Sequence, residues 1–223
     1  MTDGRIGVTV LVVAKAPVPG LAKTRLAAAV GDRAAAEIAA AALLDTLDAV
    51  AAAPVADRVV ALTGDLRKAV RGREIDRRLA DFTVVMQRGA DFAERLVNAH
   101  ADAAAAGLPV LQIGMDTPQV GADLIAECAR GLLAADAVLG MARDGGWWVL
   151  GVTDPAMARC LRTVAMSRAD TGTVTLAALR DTGVDVKLMT ELTDVDTVMD
   201  VEPVRRECRP GGWFVQATRA AGV

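Results

Sequence analysis

The sequence predicts an α/β fold, a three-layer α/β/α sandwich built around a mostly parallel, mixed sheet. Apolar segments of strand length alternate with amphipathic segments of helix length along most of the chain, which is typical of parallel strands joined by crossover helices. With 53% hydrophobic and 24% charged residues among 223, the composition is that of a chain that folds around an apolar core.

The first half of the chain alternates regularly between predicted strands and helices. The first strand, 8–14, is apolar throughout, as expected of a strand buried on both faces, and an alanine-rich helix is predicted over 32–52. The acidic residues of this helix, Glu37, Asp45 and Asp48, are expected to mark a solvent-exposed face. The next strands are predicted at 58–64, 82–87 and 109–114, with helices at 91–106 and 121–134.

The second half departs from this alternation. The apolar segments 137–142 and 147–152 are separated by only four residues, too few for a crossover helix, so we predict that they are antiparallel neighbours. A helix at 171–182, a strand at 184–189 and a helix at 197–208 complete the pattern. We predict one domain over 1–208 and a tail over 209–223. The tail is expected to pack on the body of the protein or on a second subunit, so a homodimer is one expectation.

Charge and residue counts argue against several classes of function. The formal net charge of −3 gives no support to nucleic-acid or membrane-surface binding, and no apolar segment is predicted to span a membrane. Three cysteines without CxxC spacing indicate reduced thiols, and without a signal-peptide pattern we expect a cytoplasmic protein. The single histidine, His100, is expected in a surface helix, and with the single serine, Ser167, it makes neither a zinc site nor a Ser-His-Asp triad.

Candidate site residues follow the predicted strands, which is where ligands bind in open α/β sheets. Lys15 follows the first strand, residues 87–89 follow the third, Asp116 follows the fourth, and Asp194 and Asp196 follow the last. Residues from four separate parts of the chain are therefore expected to meet at one edge of the sheet.

The loop after the first strand carries three cations. The segment AKAPVPGLAKTRL, residues 14–26, places Lys15, Lys23 and Arg25 around a loop that two prolines stiffen. Near the start of a helix, such cations favour a bound anion such as a phosphate, although the loop matches neither GxGxxG nor GxxxxGK[ST]. A solvated group of cations at a strand-to-helix turn is the alternative explanation.

Three further segments allow both a structural and a chemical interpretation. Asp116, in IGMDTP, follows an apolar strand and either binds a hard cation such as Mg²⁺ or caps the turn or helix beyond it. In DVDT, Asp194 or Asp196 either caps the last helix or completes a two-carboxylate metal site with Asp116. RDGGWW is typical of a tight hairpin, and its glycines would equally let a flat or sugar-like ligand approach the backbone.

The motifs AKAPVPGLAKTRL, QRGADFAERL, IGMDTP, LGMARDGGWWVLG and DVDT occur in this order between about residues 8 and 205. Through them the chain resembles the glycosyltransferase-A-like nucleotide-diphospho-sugar transferase superfamily, and within it the bacterial transferases related to phospholactate guanylyltransferase. The resemblance implies an α/β/α sandwich that binds a nucleotide over its first half. Departures from the family pattern, at Thr117, at Trp147 and Trp148 and within 165–171, all fall on the acceptor side.

The resemblance implies roles for the residues that bind the nucleotide. Lys15, Lys23 and Arg25 would contact its phosphates. Gly89 and Asp91, after the third strand, would lie near its base or ribose.

The resemblance also implies the metal site and the acceptor site. Asp116 and Asp196 would hold Mg²⁺ or Mn²⁺, and Lys23, Arg25 and Asp116 would act directly in catalysis. The acceptor half of the cleft would be lined by Asp144, Gly145, Gly146 and Trp147.

We therefore expect a Mg²⁺-dependent transferase that uses an activated nucleotide, with a nucleotide or nucleotide sugar and a small-molecule acceptor as its partners. Glycosyl transfer from a nucleotide sugar comes first on the resemblance. One alternative is a nucleotidyltransferase that joins a nucleoside triphosphate to a phosphorylated small molecule and releases pyrophosphate, and the lone Asp116, in place of an Asp-x-Asp pair, favours this reaction. A non-catalytic nucleotide-binding module is the other alternative.

Overall fold

The computed structural model describes residues 4–223, in which seven strands form one mixed sheet. The strands are β1 (Ile6–Lys15), β2 (Val55–Thr63), β3 (Thr83–Met86), β4 (Val110–Ile113), β5 (Ala137–Ala142), β6 (Trp147–Val152) and β7 (Val186–Leu192). Their order across the sheet is β3-β2-β1-β4-β6-β5-β7. Only the pairs of β6 with β4 and with β5 are antiparallel. The other six strands therefore run in one direction, and their carboxyl ends share one edge of the sheet.

Helices cover both faces of this sheet, which confirms the predicted three-layer sandwich. The α-helices are α1 (Thr24–Val30), α2 (Asp32–Ala52), α3 (Gly72–Leu79), α4 (Phe92–Ala103), α5 (Ala122–Leu132), α6 (Thr171–Asp181), α7 (Val198–Glu207) and α8 (Trp213–Ala220). One core cluster joins the sheet to α2, α3 and α5. A second cluster, on the opposite face, joins it to α4, α6 and the 3-10 segment Pro155–Thr163.

The continuous apolar sequence of β1 follows from its central position. Val10 and Val12 belong to the core cluster on one face of the sheet, whereas Leu11 and Val13 belong to the cluster on the other face. Successive side chains of a strand point to opposite faces, so a strand with helices on both sides needs apolar residues at every position.

The acidic residues of α2 do not mark a solvent-exposed face as expected, because the C-terminal segment and α3 pack against them. The Asp45 carboxylate accepts hydrogen bonds from the backbone N–H groups of Trp213 and Phe214, at 3.0 and 2.7 Å. Asp48 forms an ion pair with Arg78 of α3 at 2.7 Å. These carboxylates therefore hold neighbouring elements in place on α2.

Residues 213–220, in the predicted tail, form the helix α8 on the outer side of α2. Phe214 is fully buried there, in a third cluster to which α2 contributes Ile38 and α7 contributes Val201. Since the opposite side of α2 packs on the sheet, through Leu43 for example, this helix is buried on two sides. The small alanine side chains of α2 suit such a position.

The expected surface position of His100 is wrong, since α4 turns this side chain inward and buries it completely. Cys128, Cys160 and Cys208 are free thiols. Among the helices of residues 4–223, none combines the length and the apolar character that a membrane span requires.

Candidate active site

A cleft of about 590 Å³ opens at the edge of the sheet where the six parallel strands end. Segments that follow β1, β4, β5 and β7 reach it, whereas residues 87–89, which were expected here from the end of the third strand, are not among its lining residues. The reversed direction of β6 brings the first residue of that strand, Trp147, to the same edge. The charged side chains that line the cleft are Lys23, Arg25, Asp116, Asp144, Arg168, Asp194 and Asp196.

Lys23 lies at the centre of the charged residues. Its ammonium Nζ is 2.7 Å from Oδ2 of Asp116 and 4.0 Å from Oδ1 of Asp196, and its side chain is only 12% exposed. Burial tends to lower the pKa of Lys23, but the attraction of Asp116, Asp196 and Asp194 outweighs burial and raises the pKa above its usual value. Lys23 is therefore a fixed positive charge between carboxylates.

The backbone of Lys23 is strained. The residue precedes α1 in the left-handed conformation, with φ 49° and ψ 51°, which costs a side-chain-bearing residue roughly 1–2 kcal/mol. Its ion pair with Asp116 offsets this cost. Two residues further on, Arg25 pairs with Oδ2 of Asp196 at 2.6 Å while its side chain stays 72% exposed. The exposed guanidinium of Arg25 can therefore turn towards a bound anion.

The loop after β7 supplies the other carboxylates. Its position is fixed because the backbone N–H of Val195 donates to the carbonyl of Asp116 at 2.9 Å. The sequence left open whether Asp194 or Asp196 caps α7; the structure gives this role to Thr197, in a capping box with Asp200. Neither Asp194 nor Asp196 is thus needed as the cap.

Asp194 is the carboxylate with the most perturbed acidity in the cleft. Burial raises the pKa of Asp194 to about 6, and the negative charge of Asp144 adds to this effect. The positive charge of Lys23 acts in the opposite direction. Asp144 and Asp194 together give this part of the cleft, its acidic end, a negative charge.

The hairpin between β5 and β6 shapes the acidic end of the cleft. The Asp144 carboxylate accepts the N–H of Gly146 at 2.7 Å, and Gly145 has φ 91°, which favours glycine. A Cβ atom on Gly145 would lie 1.9 Å from the carbonyl oxygen of Ala169. The carbonyl of Gly145 also accepts the N–H of Gly172 at 2.7 Å. The hairpin and the start of α6 are thus in backbone contact.

The structure brings together seven of the predicted site residues but not the other four. Those that line the cleft are Lys23, Arg25, Asp116, Asp144, Gly146, Trp147 and Asp196. Gly145 lies directly behind them, in the hairpin. The ammonium of Lys15 instead donates to the carbonyl of Leu21 at 2.7 Å and so closes the Pro/Gly loop.

Gly89 and Asp91 lie beside the start of α4, outside the cleft lining. Oδ1 of Asp91 accepts the N–H of Glu94 at 2.8 Å and caps the helix. Gly89 has φ 147°, and a Cβ atom on it would lie 2.8 Å from the backbone nitrogen of Arg95. Both residues therefore have a structural role at this turn.

Sequence reasoning gave no site role to two buried polar residues that line the cleft. Gln112 of β4 is 3% exposed and Thr117 is 2% exposed. Oε1 of Gln112 and Oγ1 of Thr117 have no hydrogen-bond partner among the described residues. The single polar residue within the apolar segment PVLQIG was the available signal for Gln112.

Two carboxylates of the cleft suit a divalent cation. Asp116 and Asp196 both approach the Lys23 ammonium, so their oxygens face a common point, and both are partly exposed. Mg²⁺ and Mn²⁺ commonly take one or two carboxylates and complete their shell with water and phosphate oxygens. Within residues 4–223 no group of three or more histidine, cysteine or acidic side chains forms a metal site. Substrate and water would therefore have to supply most of the ligands.

Comparison with known families gives a match. The family model described as "Uncharacterized protein conserved in bacteria (DUF2064)" covers residues 46–168, more than half of the chain. A comparison with curated proteins gives no significant match.

Several solved structures share the fold. A protein of Desulfovibrio desulfuricans G20, assigned as a nucleotide-diphospho-sugar transferase, matches with a TM-score of 0.82 at 24% identity, over 97% of this chain and 95% of that one. The 4-diphosphocytidyl-2C-methyl-D-erythritol synthase of Anaerococcus prevotii DSM 20548 gives 0.58 at 13% identity, over 99% and 100%. A manganese complex from Mycobacterium tuberculosis H37Rv gives 0.55 at 17% identity, over 89% and 97%. The chain thus has the nucleotide-diphospho-sugar transferase fold.

Proposed function

The chain belongs to the DUF2064 family of bacterial proteins, and we propose that it is a divalent-metal-dependent glycosyltransferase that uses a nucleotide-sugar donor. The observation that carries this proposal is the charge pattern of the cleft. Lys23 and Arg25 form ion pairs with Asp116 and Asp196, whereas Asp144 and Asp194 add negative charge at the acidic end of the cleft, which we assign to the acceptor.

The acidic end favours a neutral acceptor over a phosphorylated one. A phosphate placed beside Asp144 and Asp194 would be repelled by their negative charges. The neighbouring segment 166–171 brings a single cation to the cleft, Arg168, to offset this repulsion. A neutral hydroxyl meets no such repulsion, and the carboxylate oxygens of Asp144 and Asp194 can accept its proton. Transfer of a glycosyl group to a hydroxyl fits this arrangement better than transfer of a nucleotidyl group to a phosphate.

At the other end, the residues suit a diphosphate leaving group. The Lys23 ammonium is fixed and the Arg25 guanidinium is exposed, so both can donate to phosphate oxygens. Four carboxylates and three cationic side chains line the whole cleft, so the side chains alone do not offset the charge of a nucleotide. A divalent cation held by Asp116 and Asp196 would supply the missing positive charge as the diphosphate departs. Positioning and electrostatic stabilisation would provide most of the acceleration.

Nucleotidyl transfer is the second candidate because of one observation. A single carboxylate, Asp116, follows β4, and no Asp-x-Asp pair stands there; Asp196 comes from the distant β7 loop. The two carboxylates could then hold the metal on the phosphates of a nucleoside triphosphate, with pyrophosphate as the leaving group.

Product analysis distinguishes these reactions. The protein is incubated with Mn²⁺ or Mg²⁺, a panel of nucleotide sugars and a panel of neutral hydroxyl compounds, and released nucleoside diphosphate is measured. We expect diphosphate release that depends on both metal and acceptor, and none without metal. Pyrophosphate release from nucleoside triphosphates with phosphorylated acceptors would instead establish nucleotidyl transfer. Nucleotide binding without turnover in either panel would indicate a non-catalytic module.

A further inference from the structure

One end of the cleft is apolar and uncharged. Most of its lining residues belong to, or pack against, the core cluster under α4, on the face of the sheet opposite α2. They are Val13, Phe92, Leu96, Gln112, Trp147 and Met166, which we call the neutral subsite. The face of Gln112 follows from its pairing with Leu11 in β1 and Leu150 in β6, since both leucines belong to this cluster. A phosphate would find no cation among these side chains.

Gln112 lacks the hydrogen bonds that a buried amide normally makes. It lies in the central strand β4, is 3% exposed, and its Oε1 has no partner among the described residues. The fully buried imidazole of His100 lies beside it, and neither ring nitrogen makes a hydrogen bond of normal geometry within residues 4–223. An unmet buried polar group destabilises a fold substantially. Gln112 and His100 are each other's polar neighbours in the core, and Gln112 also lines the cleft, where its amide can meet a ligand.

A second orphaned polar atom belongs to the same subsite. Nε1 of Trp147 is buried and has no acceptor in the described part of the chain, although Nε1 of the next residue, Trp148, donates to the carbonyl of Thr190 at 2.8 Å. Indole N–H groups usually find a partner when they are buried. The subsite therefore offers an amide and an indole N–H, both uncharged, between apolar and aromatic side chains.

We propose that the neutral subsite binds the uncharged body of the acceptor, a flat or ring-containing group with a neutral hydrogen-bonding substituent that pairs with the Gln112 amide. An amide presents a donor and an acceptor side by side, so it can match a carbonyl, an amide or a hydroxyl on the ligand. Trp147 lines both this subsite and the part of the cleft that contains Asp144. This assignment to the acceptor rests on the proposed glycosyl transfer, and it excludes acceptors whose body carries a charge.

Benzamide is a simple probe for such a subsite because it combines a flat ring with a neutral amide. The protein has three tryptophans, so its NMR spectrum contains three indole N–H signals, and the signal missing from the Trp147→Phe variant is that of Trp147. We expect benzamide to shift the Trp147 signal saturably. Benzoate should cause no saturable shift, because a carboxylate would lose its hydration without gaining a cation. The absence of saturation with benzamide, or equal binding of benzoate, would overturn the proposal.

Two variants test the role of Gln112. Gln112→Met removes the amide at similar volume, so benzamide binding should weaken about threefold to tenfold. A Gln112→Met protein that binds benzamide as before would contradict a ligand-binding role. Phe92→Ala, at a half-exposed position, should also weaken binding; unchanged binding would place benzamide outside the subsite.

Gln119→Met is the matched control. Gln119 likewise has a buried Oε1 without a partner among the described residues, but its Nε2 donates to the carbonyl of Thr193 at 2.6 Å and it lines a separate cavity of about 190 Å³. This variant should be destabilised and should bind benzamide as the wild type does; weaker binding would show that the Gln112→Met effect is not local. None of these measurements uses a nucleotide or a metal. A failure of the subsite proposal is therefore distinguishable from a failure of the proposed reaction.

Discussion

Lys23 combines a strained backbone with a buried charge, and both features depend on the carboxylates around it. In the left-handed conformation, its side chain reaches Asp116 and Asp196 directly from the residue before α1. Its ammonium occupies the point that both carboxylates face. Lysine and a divalent cation therefore compete for the same oxygens when no nucleotide is bound.

Removal of the lysine charge should strengthen metal binding. We expect Lys23→Met to bind Mn²⁺ about tenfold more tightly than the wild type without nucleotide, which corresponds to about 1.4 kcal/mol, as measured by calorimetry. Lys15→Met is the control, because the Lys15 ammonium contacts a backbone carbonyl and neither carboxylate. Equal or weaker Mn²⁺ affinity in Lys23→Met would show that Asp116 and Asp196 do not form the metal site.

His100 should make the protein sensitive to acid. Burial lowers the pKa of His100 from 6.5 to about 4, so the unfolded chain takes up a proton between these pH values while the folded protein does not. Above pH 6.5 His100 is neutral in both states and costs no stability. As the pH falls from 6.5 towards 4, the free energy of unfolding decreases, by about 3 kcal/mol in total. His100→Gln should lose less stability over this range in urea unfolding experiments. Parallel pH profiles of the two proteins would contradict this account.

At the scale of elements, the hairpin between β5 and β6 decides how the acidic end of the cleft is built. Its Asp-Gly-Gly turn predicts a hairpin from sequence alone, and the structure confirms the antiparallel pair. What the turn sequence does not reveal is the contact of Gly145 with Ala169 and Gly172, which positions the segment 166–171. That contact joins residues distant in sequence, so no local pattern encodes it.

Alanine substitution at two glycines separates this contact from backbone strain. Gly145 and Gly183 both have positive φ, 91° and 81°, but a Cβ atom on Gly183 would meet nothing within 4 Å. Gly183→Ala should cost about 1 kcal/mol from strain alone. Gly145→Ala should lower the free energy of unfolding by at least about 2 kcal/mol more than Gly183→Ala does, because Ala169 must move. It should also raise the KM for the acceptor. Equal losses in denaturant unfolding would contradict the proposed contact.

At the scale of the whole molecule, the sheet order explains which site residues were predictable. Local patterns located the strands and therefore Asp116, Asp194 and Asp196 after them, and parallel strands bring such residues to one edge. Side-chain direction is not encoded in this way. Lys15 was expected at the phosphates, but it closes its own loop instead.

Burial of polar residues was the least predictable feature. Whether Gln112 and His100 meet depends on how α4 packs on β4, and this packing joins segments that the sequence shows only as separate periodic patterns. The acidic residues of α2 illustrate the same limit. Glu37, Asp45 and Asp48 look solvated in sequence, yet Asp45 receives the first N–H groups of a helix that begins at Trp213.

Metal-dependent nucleotide-sugar binding tests the central claim most directly. Calorimetric titration of nucleotide sugars with and without Mn²⁺ should show that the metal strengthens binding in the wild type and not in Asp116→Asn. Asp76→Asn, at an exposed position on α3, removes the same charge away from the cleft and should behave as the wild type. If Asp116→Asn keeps the full Mn²⁺-dependent gain in affinity, the cleft of Lys23, Asp116 and Asp196 is not the nucleotide site.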